Sequence, residues 1–420
     1  MNYYNIDDLK KLFFSYFVNE CGHKKISGYS LVPKVDDSVL FTPAGMHPLI
    51  PYLTGKCKHP VGNKLVNIQG VVRTGAIDKV GVDSYLTFFE LFGAWIMDDY
   101  SKYDTLLKIW NFFISKKYLD IQKEQIYVTY FKGNKLLPED YDTLNIWKKI
   151  GVDDSHLFST EKNWKGPYSS SRICGPNTRI YFDTGKKKCC PDCNVLCSCG
   201  KYVELWDIVF FDYILKDNTL KENPYACVDM GAGVERIATL VQNVKTIYET
   251  DILNKIVEVI KQLETKNVNC NLEELTRKQR IVADHLRCAC FIVGDDVPTL
   301  TSNKGRGYVL RKIIRRAINN LEQLGLNLDS YKLIINEIID LYKGDYPVLY
   351  EKRNYIVEQL CTEYSVYKLN LKRNLIQVEK YLNGREFVTK AEVKKLFDRY
   401  GVPTDYIMDI TSKRKVLIKE

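Results

Sequence analysis

Long apolar runs are missing from these 420 residues: no stretch of about 18 consecutive apolar side chains occurs, so no membrane-spanning helix is expected. Met1-Asn2-Tyr3-Tyr4-Asn5 opens without a basic stretch followed by an apolar one, so no secretory leader is read there and a cytoplasmic address is expected. Internal repeats and low-complexity tracts are also lacking. Apolar residues at 45% and charged residues at 27% exclude a disordered, collagenous or coiled-coil chain. Histidine is scarce. The five are His23, His47, His59, His156 and His285, no two of them three or four apart, which excludes paired-histidine metal spacing.

What is present is unevenly spread. Lys and Arg total 61 against 52 Asp and Glu, a net +9; residues 251–420 hold 30 basic and 23 acidic side chains, so +7 lies there and +2 in residues 1–250. A basic C-terminal part suggests a polyanionic partner. Five of the 13 cysteines fall between Cys189 and Cys199. In a reducing compartment clustered thiols bind metal more readily than they form disulfides. The spacing Cys189-Cys190-x2-Cys193-x3-Cys197-x-Cys199 offers five thiols to Zn²⁺, which takes four in a tetrahedron. Cys189, Cys193, Cys197 and Cys199 are the expected ligands, with Cys190 spare; free thiols in a loop are the alternative. Four thiolates leave no open position, so the site would be structural.

At roughly 100–200 residues per domain, two or three units are expected. Leu9, Leu12, Phe13, Tyr16 and Phe17 recur at helical spacing over 6–20, and Cys21-Gly22 ends that run. Leu86 to Phe92 has the aromatic content of a buried strand, 104–119 returns to helical period, and Lys162 to Asn177 reads as a loop over a site. Tyr202–Leu215 is strand-like, and Val228–Val241 reads as a strand passing through a glycine turn into a helix. From 251 onward the pattern is helical almost throughout. The expectation is an α+β domain over 1–250, with a Cys-rich insert at 186–201, followed by a helical domain over 251–420.

Three constellations carry chemistry. Gly22-His23, Ser30-Leu31-Val32-Pro33 and Ala44-Gly45-Met46 form a helix end, a turn and a strand, with no function legible from physics alone. Arg73 after one strand and Glu90 on the next could clamp a nucleotide, since the planar guanidinium fork matches phosphate and a carboxylate can accept from an adenine amino group. The same two would equally serve as a cross-strand ion pair. Val228-Asp229-Met230-Gly231-Ala232-Gly233-Val234-Glu235-Arg236 closes a strand with an acid, turns on glycines and opens a helix, where Arg236 and the helix start favour phosphate.

Together these blocks resemble motifs 1, 2 and 3 of the class II aminoacyl-tRNA synthetases, and specifically the alanyl-tRNA synthetase family. Thr87-Phe88-Phe89-Glu90, Arg280 to Arg287, Ser302 to Ala317 and Leu396 to Asp405 agree with further blocks of that family, so the resemblance covers about residues 5–410. It implies a class II antiparallel sheet flanked by helices, followed by an all-helical domain. It implies ATP-dependent activation of an amino acid, most simply alanine, as the aminoacyl-adenylate, and transfer to tRNA. Arg73 and Arg236 would stabilise charge as pyrophosphate leaves; Arg73, Glu90, Trp164 and Arg236 would bind ATP, with Mg²⁺ bridging its phosphates. Met46, Trp164, Asp207, Asp229 and Gly231 would meet the amino acid, Asp229 through the ammonium group. Asn303 and Asp398 fall where the family reads a G·U pair of the tRNA acceptor stem, and Arg306, Arg311 and Arg315 would hold its phosphates. The cysteine insert is similar to a zinc knuckle of shorter family members. The family's editing and association regions find no counterpart, so neither cis-editing nor self-association is expected, and a monomer is.

The chain departs from the family pattern at several places. Gln69-Gly70-Val71-Val72-Arg73 replaces Gln-Lys-Cys-x-Arg, Ala76 and Lys79 stand where an acid is common, and Phe92-Gly93-Ala94 replaces Leu-Gly-Asn. Arg179 stands for an acid and Asp207 for an amide; an ionised Asp207 would repel the substrate carboxylate unless paired. Two alternatives follow: a paralogue activating another small amino acid or feeding a biosynthetic pathway, and an inactive tRNA-binding module.

Overall fold

The computed structural model describes residues 1–34, 38–82, 84–168, 172–264 and 271–419. Nine strands make one sheet: β1 (Lys24–Lys25), β2 (Lys64–Val72), β3 (Phe88–Met97), β4 (Ile126–Phe131), β5 (Leu157–Thr160), β6 (Trp164–Lys165), β7 (Ile173–Asp183), β8 (Tyr202–Lys216) and β9 (Thr219–Gly233). Their spatial order is β1-β2-β3-β9-β8-β7-β4-β5, with β6 alongside β7. The six strands from β2 to β4 in that order pair antiparallel, and only the outer pairs β1–β2 and β4–β5 are parallel.

Side chains alternate across a strand, and here the alternation separates core from cavity. On β9, Val228, Met230 and Ala232 are buried in the large core, while Asp229, Gly231 and Gly233 line a cavity on the opposite face. On β8, Trp206, Ile208 and Phe210 join that core, and Asp207 and Val209 face the cavity. The core face is closed by the helix Ile6–Ser15, capped by Asn5, which accepts from the Asp8 amide, and by the helix Lys102–Ile114. Phe13 of the first helix meets Phe92 of β3 with ring centroids 4.3 Å apart. Two positions differ from the sequence expectation. The segment expected as a loop over 162–177 supplies β6 and the first residues of β7, because Trp164 and Lys165 find partners at Pro176 and Gly175. The strand expected from Leu86 begins at Phe88, after the Thr87 amide is taken by Asp284.

From Asp251 the chain is helical: Asp251–Leu263, Leu272–Gly294, Gly305–Gln323, Leu328–Tyr342, Pro347–Glu351, Arg353–Leu382, Lys390–Tyr400 and Thr404–Lys413. A short parallel pair, Phe387–Thr389 with Leu417–Lys419, is the one strand pairing among its described residues. No described helix is long and apolar enough to cross a membrane.

The helices grip the sheet through buried ions. Arg287, 1% exposed, donates to the Glu235 carboxylate at 3.0 Å, to the Tyr342 hydroxyl at 2.8 Å and to the Phe88 carbonyl. Lys10 pairs with Glu90 at 2.7 Å and with Asp345 at 2.6 Å. Burial pulls the Lys10 ammonium down, but Glu90 and Asp345 outweigh it and hold the group above the usual lysine range. Asp295 accepts from the Leu31 amide at 2.8 Å and from Ser30, tying the turn after the first helix to the helical part.

Candidate active site

The cavity encloses about 540 Å³, a size common for nucleotide and small-ligand pockets. Its floor is built by register. Gly93 of β3 pairs with Gly231 of β9, Gly231 with Asp207 of β8, and Asp207 with Arg179 of β7. Two residues further along, Trp95, Asp229, Val209 and Asn177 make the next row facing the same side. Gly93 is required here: a Cβ would lie 2.2 Å from the Trp95 ring, which rests over it. Met46 and Ala44 close one side, and Tyr168 and Lys165 the other.

Two cations enter from separate elements. Arg73 follows β2; its guanidinium lies 5.0 Å above the Phe89 ring and its Nε donates to the Pro43 carbonyl at 2.8 Å. Arg236, on the first turn of the helix Val234–Val241, donates to the Glu204 carbonyl at 3.0 Å. Burial and then the like charge of Arg236 pull Arg73 below the ordinary arginine range, against a smaller opposing pull from Glu204, so the two guanidiniums share one site. Asp229 is the contrasting group. Burial and then the nearby Asp207 push its carboxyl up to about 7. Asp207 is itself paired, with Lys165 at 2.8 Å and Arg179 at 3.4 Å, and it accepts from the Asn177 amide. Such an arrangement suits a ligand with phosphates at one end and an ammonium group at the other.

Of the residues expected here, Arg73, Arg236, Met46, Asp207, Asp229 and Gly231 line one cavity. Glu90 does not, which corrects its expected place beside a nucleotide base. Phe89 and Leu91 face the cavity, so strand alternation turns Glu90 to the other side, where Lys10 and the Tyr346 hydroxyl (2.7 Å) take its oxygens. Its oxygens are taken by Lys10 and Tyr346, and Arg73 is not among its partners. Trp164 is likewise displaced: Lys165 lines the cavity, while the Trp164 ring packs between Phe131 and Tyr213, with centroids at 5.3 and 6.5 Å. Sequence reasoning missed Lys165 as a lining cation and Lys10, Arg287 and Tyr346 as the supports beneath. The Lys10 partner could not be found by spacing, since 80 residues separate it from Glu90.

Between β7 and β8 the thiols of Cys189, Cys193, Cys197 and Cys199 all lie within 4.8 Å of one another. Cys189 and Cys197 are 3.4 Å apart and Cys193 and Cys199 3.6 Å. Zinc at about 2.3 Å from four sulfurs would hold them about 3.8 Å apart, so this donor set fits the ion. The Cys190 sulfur lies outside the four, 3.8 Å from Cys189. The pair Lys201–Asp183, at 2.7 Å, closes the base of the insert.

On the helical part, Asn303 is exposed and accepts from Arg311. Arg311 and Arg315 also meet Glu363, at 3.7 and 3.1 Å, and Arg306 donates to the Leu40 carbonyl, so these three arginines anchor the helix Gly305–Gln323. Lys304 and Lys312 are exposed, with no ion pair among the described residues. Asp398 lies on the helix Lys390–Tyr400; its side chain is outside the described residues.

Comparison with known proteins agrees with this geometry. The family model for tRNA synthetases class II (A) matches residues 8–420. The alanine–tRNA ligase of Borrelia hermsii (strain HS1 / DAH) is 38% identical over 416 residues, covering 97% of this chain and 69% of that one. That of Treponema pallidum (strain Nichols) is 39% identical over 408 residues, covering 95% and 67%. That of Caldicellulosiruptor saccharolyticus is 32% identical over 435 residues, covering 100% of this chain and 47% of that one. With its motif arginines, its glycine floor and its central antiparallel strands accounted for, this chain belongs to the class II tRNA synthetases.

Proposed function

We propose that this protein activates alanine with ATP and transfers it to tRNA. The alanine carboxylate attacks the α-phosphate of ATP, the bond to pyrophosphate breaks, and alanyl-adenylate forms; a hydroxyl of the terminal tRNA ribose then attacks the acyl carbon and AMP departs. The observation that carries this reading is the convergence of Arg73 and Arg236 with Asp229 in one cavity, from three separate segments of chain.

The residues act by charge and placement, since the substrate supplies its own nucleophile. Arg73 and Arg236 would meet the phosphates and offset the charge that grows on pyrophosphate. Asp229, once ionised, would pair with the alanine ammonium. Met46 and Gly231, which line the same cavity, would meet the amino-acid side chain. Bound Mg²⁺ would neutralise phosphate oxygens; Glu204, beside Arg236, is the lining carboxylate at that end. Zinc held by Cys189, Cys193, Cys197 and Cys199 would fix the insert's fold.

Residues 1–250 would form the aminoacylation unit and 251–420 the tRNA-recognition unit. Exposed Asn303 with Lys304 and Lys312 supports contact with an acceptor stem, and Asp398 would join in reading its G·U pair. We read the protein as a monomer. The clustering of the Cys189, Cys193, Cys197 and Cys199 thiols as one four-sulfur set supports a reducing, cytoplasmic setting.

ATP–pyrophosphate exchange across the twenty amino acids tests the reading. Exchange with alanine supports it. Exchange with another small amino acid alone points to a paralogue, and absence of exchange with tRNA still retained on a filter points to a binding module.

A further inference from the structure

The amino-acid end of the cavity contains one acid more than an ammonium group needs. Asp229 and Asp207 both line it, from adjacent strands. An amino acid brings one cation and one anion. Asp229 answers the cation; a bare Asp207 would repel the anion. Asp207 is not bare. Lys165 reaches one of its oxygens at 2.8 Å, and Arg179 and the Asn177 amide approach the other. Arg179 also meets Glu204 at 3.7 Å, and Glu204 meets Arg236 at 3.8 Å. Lys165, Asp207, Arg179, Glu204 and Arg236 thus form one line of alternating charge from the amino-acid end to the phosphate end.

The register makes the relation specific. Arg179 and Asp207 are Cα partners across β7 and β8. The three members at the amino-acid end are partly shielded: side-chain exposure is 19% for Arg179, 21% for Asp207 and 31% for Lys165. Pairs at this depth are screened less than surface pairs, and loss of one member leaves an uncompensated charge facing the ligand.

Resting on the alanine-activating reading above, we propose that Lys165 and Arg179 are positioning residues for the amino acid. They cancel the charge of Asp207 so that the substrate carboxylate can approach the α-phosphate, and Arg179 is needed only because Asp207 is there. Arg179 acts through Asp207 without touching the reacting atoms.

The test is alanine-dependent ATP–pyrophosphate exchange by the full chain and by Arg179→Gln, Lys165→Gln and the double variant Arg179→Gln/Asp207→Asn. Arg179→Gln should raise the KM for alanine about tenfold or more, with the KM for ATP changed less than about twofold. The double variant should recover most of that loss, a result that a purely structural arginine would not give. If Arg179→Gln fails to fold, Lys165→Gln, on the short β6, should show the same split between the two KM values. An alanine KM that neither variant moves, or a double variant no better than the single one, overturns the proposal and leaves the function standing. An unaltered protein that exchanges with no amino acid overturns the function itself, and the proposal falls with it.

Discussion

Lys10 and Glu90 form an ion pair 2.7 Å long, buried beneath the cavity floor, with side chains 5% and 2% exposed. The pair joins the first helix to β3, and Asp345 and Tyr346 extend it into the helical part. Its place makes a clear distinction between supporting a nucleotide site and touching the nucleotide.

Lys10→Met leaves the Glu90 carboxylate buried without its cation. The expected cost is about 3 kcal/mol of folding stability, measured by denaturant unfolding, with the KM for ATP unchanged in the folded fraction. A selective rise in the ATP KM with normal stability would return Glu90 to a nucleotide-binding role.

Arg73→Ala and Arg236→Ala should each slow adenylate formation about 100-fold or more, because each removes a preset cation from the charge that develops on pyrophosphate. Both side chains are largely free of the packed core, so melting temperatures should move little. Single-turnover adenylate formation is the measurement. A loss confined to tRNA transfer would contradict this assignment.

Asp229 must lose its proton to hold an ammonium group, and its carboxyl stands at about 7. kcat/KM for alanine should therefore rise through pH 7 on its acid side. The groups facing Asp229 are Asp207, Lys165, Trp95, Cys227 and Tyr168. Asp207→Asn removes the like charge and should move that limb to lower pH; Lys165→Gln removes the opposing cation and should move it higher. Stability of the unliganded protein follows the same group in the opposite sense. A carboxyl raised on folding favours the folded state below its ordinary value of 3.8, and that contribution is lost as pH rises toward about 7.

Elemental analysis should find one zinc per chain. Cys193→Ser, at the most buried of the four thiols (4% exposed), should abolish retention, whereas Cys190→Ser should keep it. Equal loss from both variants would reject the four-sulfur assignment.

Much of this site was legible because its residues obey local rules. The alternation Val228, Asp229, Met230, Gly231, Ala232, Gly233 separates apolar from functional positions on a single strand, and the cysteine spacing closes within one turn-rich insert. Glu90 and Trp164 were misread for a common reason: motif content gives the strand, but the facing of each side chain depends on the register chosen by neighbours far along the chain. The arginines Arg306, Arg311 and Arg315 show a different limit of the sequence. They were expected to hold phosphates, and Glu363, on a helix 48 residues beyond Arg315, pairs with two of them in the unliganded protein. Arg179 and Asp207 each looked like a defect when considered alone; only their side-by-side strands reveal that each answers the other.

Arg287 sits wedged between β3, the second strand of the second motif, and the helix Val234–Val241, which opens within the third, nearly sealed from water. A polypeptide cut near residue 250 would lack it, and Glu235 would be left as an orphan anion at the root of the very helix that carries Arg236. The sheet half should consequently not be obtainable as an autonomous miniature catalyst: whatever division of labour the two halves observe, they must mature together.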